Sequence, residues 1–181
     1  WTYTRTGYAF PLDLSLLLRY QSYVSATNML MDAPLLGHGP AVYGLAYAPY
    51  WTPFEQDWFA QEIRMNGHVH NDLIEMGIDG GLAAAGLYLA TLLLGISYSL
   101  LYVARNTTPE QRRMGFTLAA LFTAFAIDGL FGFNLRVPVT AALFFLLLGV
   151  LDGLWASDAA EEKRAPAWQA HGARVAFILL L

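Results

Sequence analysis

An uncharged apolar segment from Gly80 to Ala104 constrains the fold of this chain more than any other feature. At about 1.5 Å of rise per residue, a helix over this segment is long enough to cross a hydrocarbon core of roughly 30 Å. Two further apolar spans follow it, so the sequence predicts three membrane-spanning helices, over residues 73–104, 114–134 and 137–155. We therefore expect an all-α, polytopic integral membrane protein.

The composition agrees with that class. Of the 181 residues, 56% are hydrophobic and 13% are charged, which is too apolar for an ordinary soluble domain of this size. The small formal charge of −4 argues against a nucleic-acid partner, and the lack of cysteine excludes disulfides and thiolate metal sites. Because the chain opens on Trp1 and stops inside an apolar run at residues 175–181, we expect it to be a fragment of a longer protein.

Basic loops set the expected orientation in the membrane. The loop between the first two spans and the segment after the third contain five basic residues: Arg105, Arg112, Arg113, Lys163 and Arg164. Short loops rich in arginine and lysine mark the cytoplasmic side. Residues 158–174 are then a cytoplasmic polar linker, whereas residues 1–71 and the turn around Arg136 are expected on the outer side.

The outer segment, residues 1–71, has its own structural signals. Residues recur at roughly helical spacing to form the predicted apolar face, at positions 17, 20, 24, 27/28 and 31. With Pro34 ending the run, this pattern predicts an amphipathic helix over residues 14–31 on the membrane surface. The following loop, residues 43–58, is dense in tyrosine, tryptophan and phenylalanine, which is typical of a membrane interface. Stacking against sugar rings is the functional alternative for the same residues.

Titratable side chains cluster just before the first span. Two histidines are followed by three acids that fall on one face of a helix starting near residue 72: His68, His70, Asp72, Glu75 and Asp79. An imidazole with its ordinary pKa of ~6.5 can take a proton from a hydroxyl near neutral pH, and one of the acids could orient it. The acids could equally form a solvated face or pair with Arg64 and Arg136.

Other interpretations of this cluster remain open. Both histidines could be structural. The run His68-x-His70-x-Asp72 could begin a metal site, although metallo-β-lactamase-type hydrolases have a further histidine where this chain has Leu73. Asp128, inside an apolar span, could instead mark a proton or ion pathway in a transporter.

Several motifs occur in a characteristic order along the chain. They are an arginine on a helix, a glycine-rich turn, an aromatic loop, a His-Asn pair, and a helix with an acid and a glycine: Arg19, Pro34-Leu-Leu-Gly-His-Gly39, residues 43–58, His70-Asn71, Asp79 and Gly81. This order resembles the O-antigen ligase and O-antigen polymerase family of bacterial polytopic glycan ligases and polymerases, over about residues 15–152. Asp79 stands where glutamate is commoner in the family, and Ile74 stands where leucine is expected.

The resemblance implies a GT-C-like helical bundle in the bacterial inner membrane, with its active site facing the periplasm in a large periplasmic loop. It implies a metal-independent glycosyltransferase without a cofactor. Such an enzyme moves a glycan from an undecaprenyl diphosphate carrier in the lipid bilayer to a hydroxyl of a glycan, lipid A-core or protein acceptor. Ligases and polymerases of the family differ chiefly in the acceptor, so these motifs do not separate them.

The resemblance also assigns residue roles. His70 matches the family's candidate general base, and Arg19 matches the arginine that binds the donor diphosphate. A guanidinium can contact phosphate oxygens bidentately and offset the charge that develops as the diphosphate leaves. Arg64 and Arg136 lie on the same predicted side and could complete this clamp. Supporting roles and candidate acceptor contacts fall to six further residues: Asn71, Asp72, Glu75, Asp79, Tyr50 and Trp51.

Overall fold

The computed structural model describes residues 14–60 and 67–164, with side chains to residue 160, and a short antiparallel strand pair near the N-terminus. This part of the chain is helical apart from the strand pair, as predicted for an all-α protein. The elements are β1 (Thr2–Tyr3), β2 (Ala9–Phe10), α1 (Leu14–Asp32), α2 (Tyr43–Ala46), α3 (Pro53–Phe59), α4 (Asp72–Arg105), α5 (Pro109–Asp128) and α6 (Pro138–Arg164). Single turns of 3-10 helix lie at Ala48–Tyr50 and Asn134–Arg136. Arg64, residues 165–174 of the predicted linker and the apolar segment 175–181 lie outside the described residues.

Two of the helices are long and apolar enough to cross a membrane: α4 (Asp72–Arg105) and the part of α6 from Pro138 to Ala160. The second predicted span, residues 114–134, is not one of the two candidates found among the described residues. Helix α5 starts earlier, in a charged first turn, and ends at Asp128. Its uncharged stretch is then about 14 residues, or about 21 Å, which is shorter than a hydrocarbon core.

Helix α1 forms over almost the predicted residues but buries a different face. Two residues of the predicted apolar face are largely exposed, Tyr20 at 63% and Met31 at 66%. The buried side chains are Leu17, Ser22, Ser25, Ala26 and Met29. The serines turn inward because Ser22 and Ser25 both donate hydrogen bonds to Glu55, a fully buried carboxylate that needs several donors; Thr52 supplies the others.

The aromatic loop is mostly folded into the core of this part of the protein. Tyr43 and Tyr47 are each 1% exposed and stack with ring centroids 4.4 Å apart. They pack with Ala26 and Met29 of α1 and with Ile78 of α4. The predicted interfacial anchors therefore include two tyrosines that the protein itself buries.

Helix α4 is broken at Gly80 and Gly81, where the backbone leaves the helical conformation. Gly81 has φ +73, and a Cβ atom there would lie 2.1 Å from the carbonyl oxygen of Leu35. The sequence suggests helix packing for these two glycines, whereas the structure uses Gly81 for the close approach of a turn.

The turn at residues 34–39 fills the break in α4. His38 N–H donates to the Ile78 carbonyl at 2.7 Å and Gly39 N–H to the Asp79 carbonyl at 3.0 Å. On the other side of the break, Leu82 N–H donates to the Pro34 carbonyl at 2.8 Å. Backbone groups released by the broken helix are thus satisfied by a segment 40 or more residues away along the chain.

The chain divides into two compact units. The first contains residues 1–91 and 126–137, and it includes every predicted site residue that the structure describes. The second contains the C-terminal part of α4, most of α5, and α6. Within the second unit, Phe122 packs edge-on against Phe144, and Asn106 donates to the Asp158 carboxylate at 2.9 Å.

Candidate functional site

The histidine loop, residues 67–71, leads directly into α4 and is held by the segment that follows α5. Asp72 N–H donates to the Gly129 carbonyl at 2.7 Å. The Tyr23 hydroxyl lies 2.8 Å from the His70 carbonyl oxygen and 2.9 Å from that of Leu130, so its single hydrogen is shared between them. Helix α1 and the segment after α5 thereby fix the loop from two sides.

Asn71 is the N-cap of α4. Its side-chain oxygen accepts the Ile74 N–H at 3.0 Å, and its amide donates to the Leu130 carbonyl at 3.2 Å. Asparagine is a preferred N-cap because its short side chain satisfies a backbone donor that the first helical turn leaves unpaired. The His-Asn pair therefore combines a candidate base with the residue that starts the helix behind it.

His70 has an unusual backbone and an imidazole suited to accept a proton. Its φ of 60° lies in the left-handed region, which is costly for a residue with a Cβ. The ring is half-buried and packs edge-on against Phe133, with centroids 5.2 Å apart. Burial lowers the pKa of His70 below its ordinary value, and the charges of Arg19 and His68 lower it further. The imidazole is therefore neutral at pH 7.

Arg19 lies on the same side of α1 as Tyr23, one turn earlier. Its positive charge acts on the pKa values of both Tyr23 and His70, which places the guanidinium beside the histidine loop. No carboxylate among residues 14–60 and 67–160 forms an ion pair with it. The structure thus brings together two residues that sequence reasoning assigned to one site.

Arg136 has different contacts from those the sequence suggests. Its Nε lies 3.3 Å from Glu75 Oε1, its Nη2 pairs with Asp79 Oδ2, and the side chain is only 16% exposed. The guanidinium predicted to bind a diphosphate is therefore engaged by two carboxylates. The sequence leaves open whether these acids form a solvated face or pair with an arginine. In the structure, Glu75 and Asp79 pair with Arg136.

Glu75 orients His68 rather than His70. Its Oε1 lies 2.8 Å from His68 Nδ1, and its Oε2 accepts the Val69 N–H at 3.2 Å. Glu75 is 2% exposed, whereas the His68 side chain is 39% exposed. Sequence reasoning left His68 without a role, and the signal that could have found this pair is an acid one helical turn after the N-cap residue.

The other two acids also act as anchors. Asp72 is 1% exposed and accepts the Asn134 backbone N–H at 3.0 Å. Asp79 accepts the Ala41 N–H at 3.1 Å and pairs with Arg136, so it holds the end of the turn that fills the helix break. Neither carboxylate has a hydrogen bond to the imidazole of His70 within the described part of the chain. The sequence suggests that one of the three acids orients His70, whereas in the described part of the chain all three bind other partners.

The two candidate acceptor contacts belong to the aromatic core. The Tyr50 hydroxyl donates to Asp32 at 2.6 Å, and this hydrogen bond raises the pKa of Tyr50. Trp51 packs against Tyr47 and Phe59, with centroids 5.7 and 4.9 Å away. Both side chains remain half-buried.

The structure also bears on the metal and ion-pathway interpretations. Within the described residues, no three side chains of histidine, aspartate or glutamate converge as a metal site. Asp128 is the last residue of α5, is exposed, and accepts a hydrogen bond from the Asn134 amide at 2.6 Å. Neither of the two candidate membrane-spanning helices in the described part of the chain contains it.

No known family model, curated protein or solved structure matches this chain. The fold and the site define a helical protein with two candidate membrane-spanning helices and a titratable loop beside an arginine. The function must therefore be argued from the loop itself.

Proposed function

We propose that this protein is a membrane-bound glycosyltransferase of the O-antigen ligase and polymerase type. It transfers a glycan from an undecaprenyl diphosphate carrier to an acceptor hydroxyl at the periplasmic face of the bacterial inner membrane. The observation that carries the proposal is the combination of His70, whose pKa is lowered, with Arg19, which no described carboxylate pairs. A GT-C-like helical bundle is part of the proposal.

The chemistry needs one proton acceptor and one stabiliser of negative charge. The neutral imidazole of His70 takes the proton of the acceptor hydroxyl as the hydroxyl oxygen bonds to the anomeric carbon of the glycan. The bond from that carbon to the diphosphate oxygen breaks, and its electron pair leaves with the diphosphate. Arg19 stabilises the additional negative charge that the diphosphate gains as it departs, by charge-assisted hydrogen bonds.

The backbone around His70 supports this role. The Tyr23 hydroxyl holds the carbonyl of His70, and the cap at Asn71 fixes the next residue. A catalytic base is effective only where its position is fixed to a fraction of an ångström. A left-handed residue held on both sides is a common way for a protein to aim a reactive side chain.

The contacts divide the predicted substrate residues into two groups. Arg19 remains a proposed diphosphate ligand, whereas Arg136 holds the segment after α5 against α4 through Glu75 and Asp79. Tyr50 and Trp51 remain predicted acceptor contacts. The acceptor, and with it the choice between ligase and polymerase, depends on residues beyond the pair of His70 and Arg19.

The test is a transfer assay with the full-length protein in lipid and an undecaprenyl diphosphate-linked glycan. We expect His70→Ala to abolish transfer and to leave the carrier-linked glycan unused, at an unchanged protein level. Arg19→Gln should reduce transfer by at least tenfold, since one charge-assisted contact is worth about 1.5–3 kcal/mol. Arg113→Gln, which removes a charge from an exposed position in the second unit, is the matched control and should retain activity. Normal transfer by His70→Ala would reject the proposal.

A further inference from the structure

His68 presents a polarised imidazole that the proposed reaction does not yet use. Its Nδ1 faces Glu75 Oε1 at 2.8 Å, so this nitrogen carries the hydrogen and donates it to the carboxylate. Its side chain is 39% exposed, and no described residue hydrogen-bonds Nε2. The ring is thus fixed at one nitrogen and accessible at the other, as in carboxylate–histidine pairs that bind ligands.

Negative charge lies close to His68. In the described part of the chain, Glu75 and Asp79 share a single guanidinium, that of Arg136, so this poorly exposed group has one uncompensated negative charge. A buried uncompensated charge is costly, so a cation beside this group is stabilised. Asp72, one turn before Glu75, adds further negative charge when ionised.

Two other groups face His68. The ring of Phe133 stacks on the imidazole, with centroids 4.6 Å apart and an interplanar angle of 15°, and an aromatic face attracts a cation. The charges of His68 and Arg19 both act on His70 and lower its pKa, so the three groups lie within electrostatic range of one another.

We propose that His68 is a phosphate ligand: its imidazolium, held by Glu75, donates a hydrogen bond from Nε2 to a phosphate oxygen of the donor diphosphate. This inference rests on the proposed function, because it names a second cation of the same site. Arg19 and His68 together match a dianionic diphosphate, and His70 remains the neutral base. His68 takes the role of diphosphate ligand that the sequence predicts for Arg136. Its side chain is accessible, whereas that of Arg136 is poorly exposed.

Binding of a diphosphate diester tests this without turnover. The probe is P1,P2-dimethyl diphosphate, whose charge does not change between about pH 5 and pH 8, titrated into the full-length protein by calorimetry. We expect the affinity to fall about tenfold per pH unit once His68 loses its proton. His68→Asn should weaken binding by about tenfold to a hundredfold and remove the pH dependence. His68→Lys should restore affinity without restoring that dependence.

A second measurement uses the unmodified protein, so that its result does not depend on whether a variant folds. The side-chain nitrogen signals of His68 in NMR spectra should show a higher pKa when the probe is bound, because the phosphate stabilises the imidazolium. Arg113→Gln is the charge-matched control and should bind as the unmodified protein does. An unchanged titration of His68 at saturation, or a His68→Asn protein that binds at full affinity, would overturn the inference. If binding behaves as expected but no glycan is transferred, the proposed reaction fails and the phosphate site stands.

Discussion

The break in α4 makes Gly81 the position where a single methyl group should do most damage. Its φ of +73 and ψ of −173 belong to a region that essentially only glycine occupies, and a side chain there costs about 1–3 kcal/mol. A Cβ atom would also lie 2.1 Å from Leu35 O and 2.8 Å from Leu36 N, both of which are backbone atoms. The turn at residues 34–39 must therefore move away in Gly81→Ala.

Moving the turn breaks the three backbone hydrogen bonds between it and α4. In two of them the turn donates, from His38 and Gly39, and in the third α4 donates, from Leu82 to Pro34. Each is worth about 1 kcal/mol, part of which water replaces. We therefore expect Gly81→Ala to lower the free energy of unfolding by about 3–5 kcal/mol, measured by denaturant titration in mild detergent with circular dichroism. Gly86→Ala is the matched control, because Gly86 lies in the same helix with open space around its Cβ position. That change should stabilise the protein by about 0.5–1 kcal/mol. Equal effects of the two substitutions would refute the role of the break.

Two further predictions concern the arginines. Arg136→Met should destabilise the protein by about 3–5 kcal/mol in the same unfolding assay, because Glu75 and Asp79 lose the guanidinium that both contact in a poorly exposed site. Lost transfer at unchanged stability would instead show that Arg136 binds the diphosphate. The acid limb of kcat/KM should lie below about pH 6.5, because burial lowers the pKa of His70 and only its neutral form accepts a proton. Arg19→Gln removes one cause of that lowering, so the limb should move to higher pH, and a limb that stays in place would contradict the proximity of the two residues.

The long helices could be predicted from the sequence because their signals are local. The apolar spans at residues 73–104 and 137–155 correspond to α4 and to most of α6, and the helix expected at residues 14–31 is α1. Length and apolar composition fix such elements whatever surrounds them. Helix α5 was misplaced because the apolar residues after Asp128 were counted as helix, whereas Gly129 and Gly132 lie in turns there.

The site was less predictable because its contacts join distant segments. Nothing near Glu75 in sequence indicates whether its carboxylate meets His68 or His70. The structure answers this with the hydrogen bond from His68 Nδ1 to Glu75, while the ring of His70 packs against Phe133. The docking of the turn at residues 34–39 into α4 was also hidden, although adjacent glycines inside an apolar helix are a signal of a helix break.

Two imidazoles with opposite tasks, one that accepts a proton and one that donates a hydrogen bond to phosphate, give the proposed transfer a bell-shaped pH profile. On the acid side, activity is lost as His70 gains the proton that it must accept. On the alkaline side, activity is lost as His68 loses the proton that it must donate to phosphate. His68→Lys should abolish only the alkaline limb, since a lysine keeps its charge to about pH 10. A profile of kcat/KM that keeps both limbs in this variant would place the alkaline group elsewhere, whereas loss of the acid limb would exchange the roles of the two histidines.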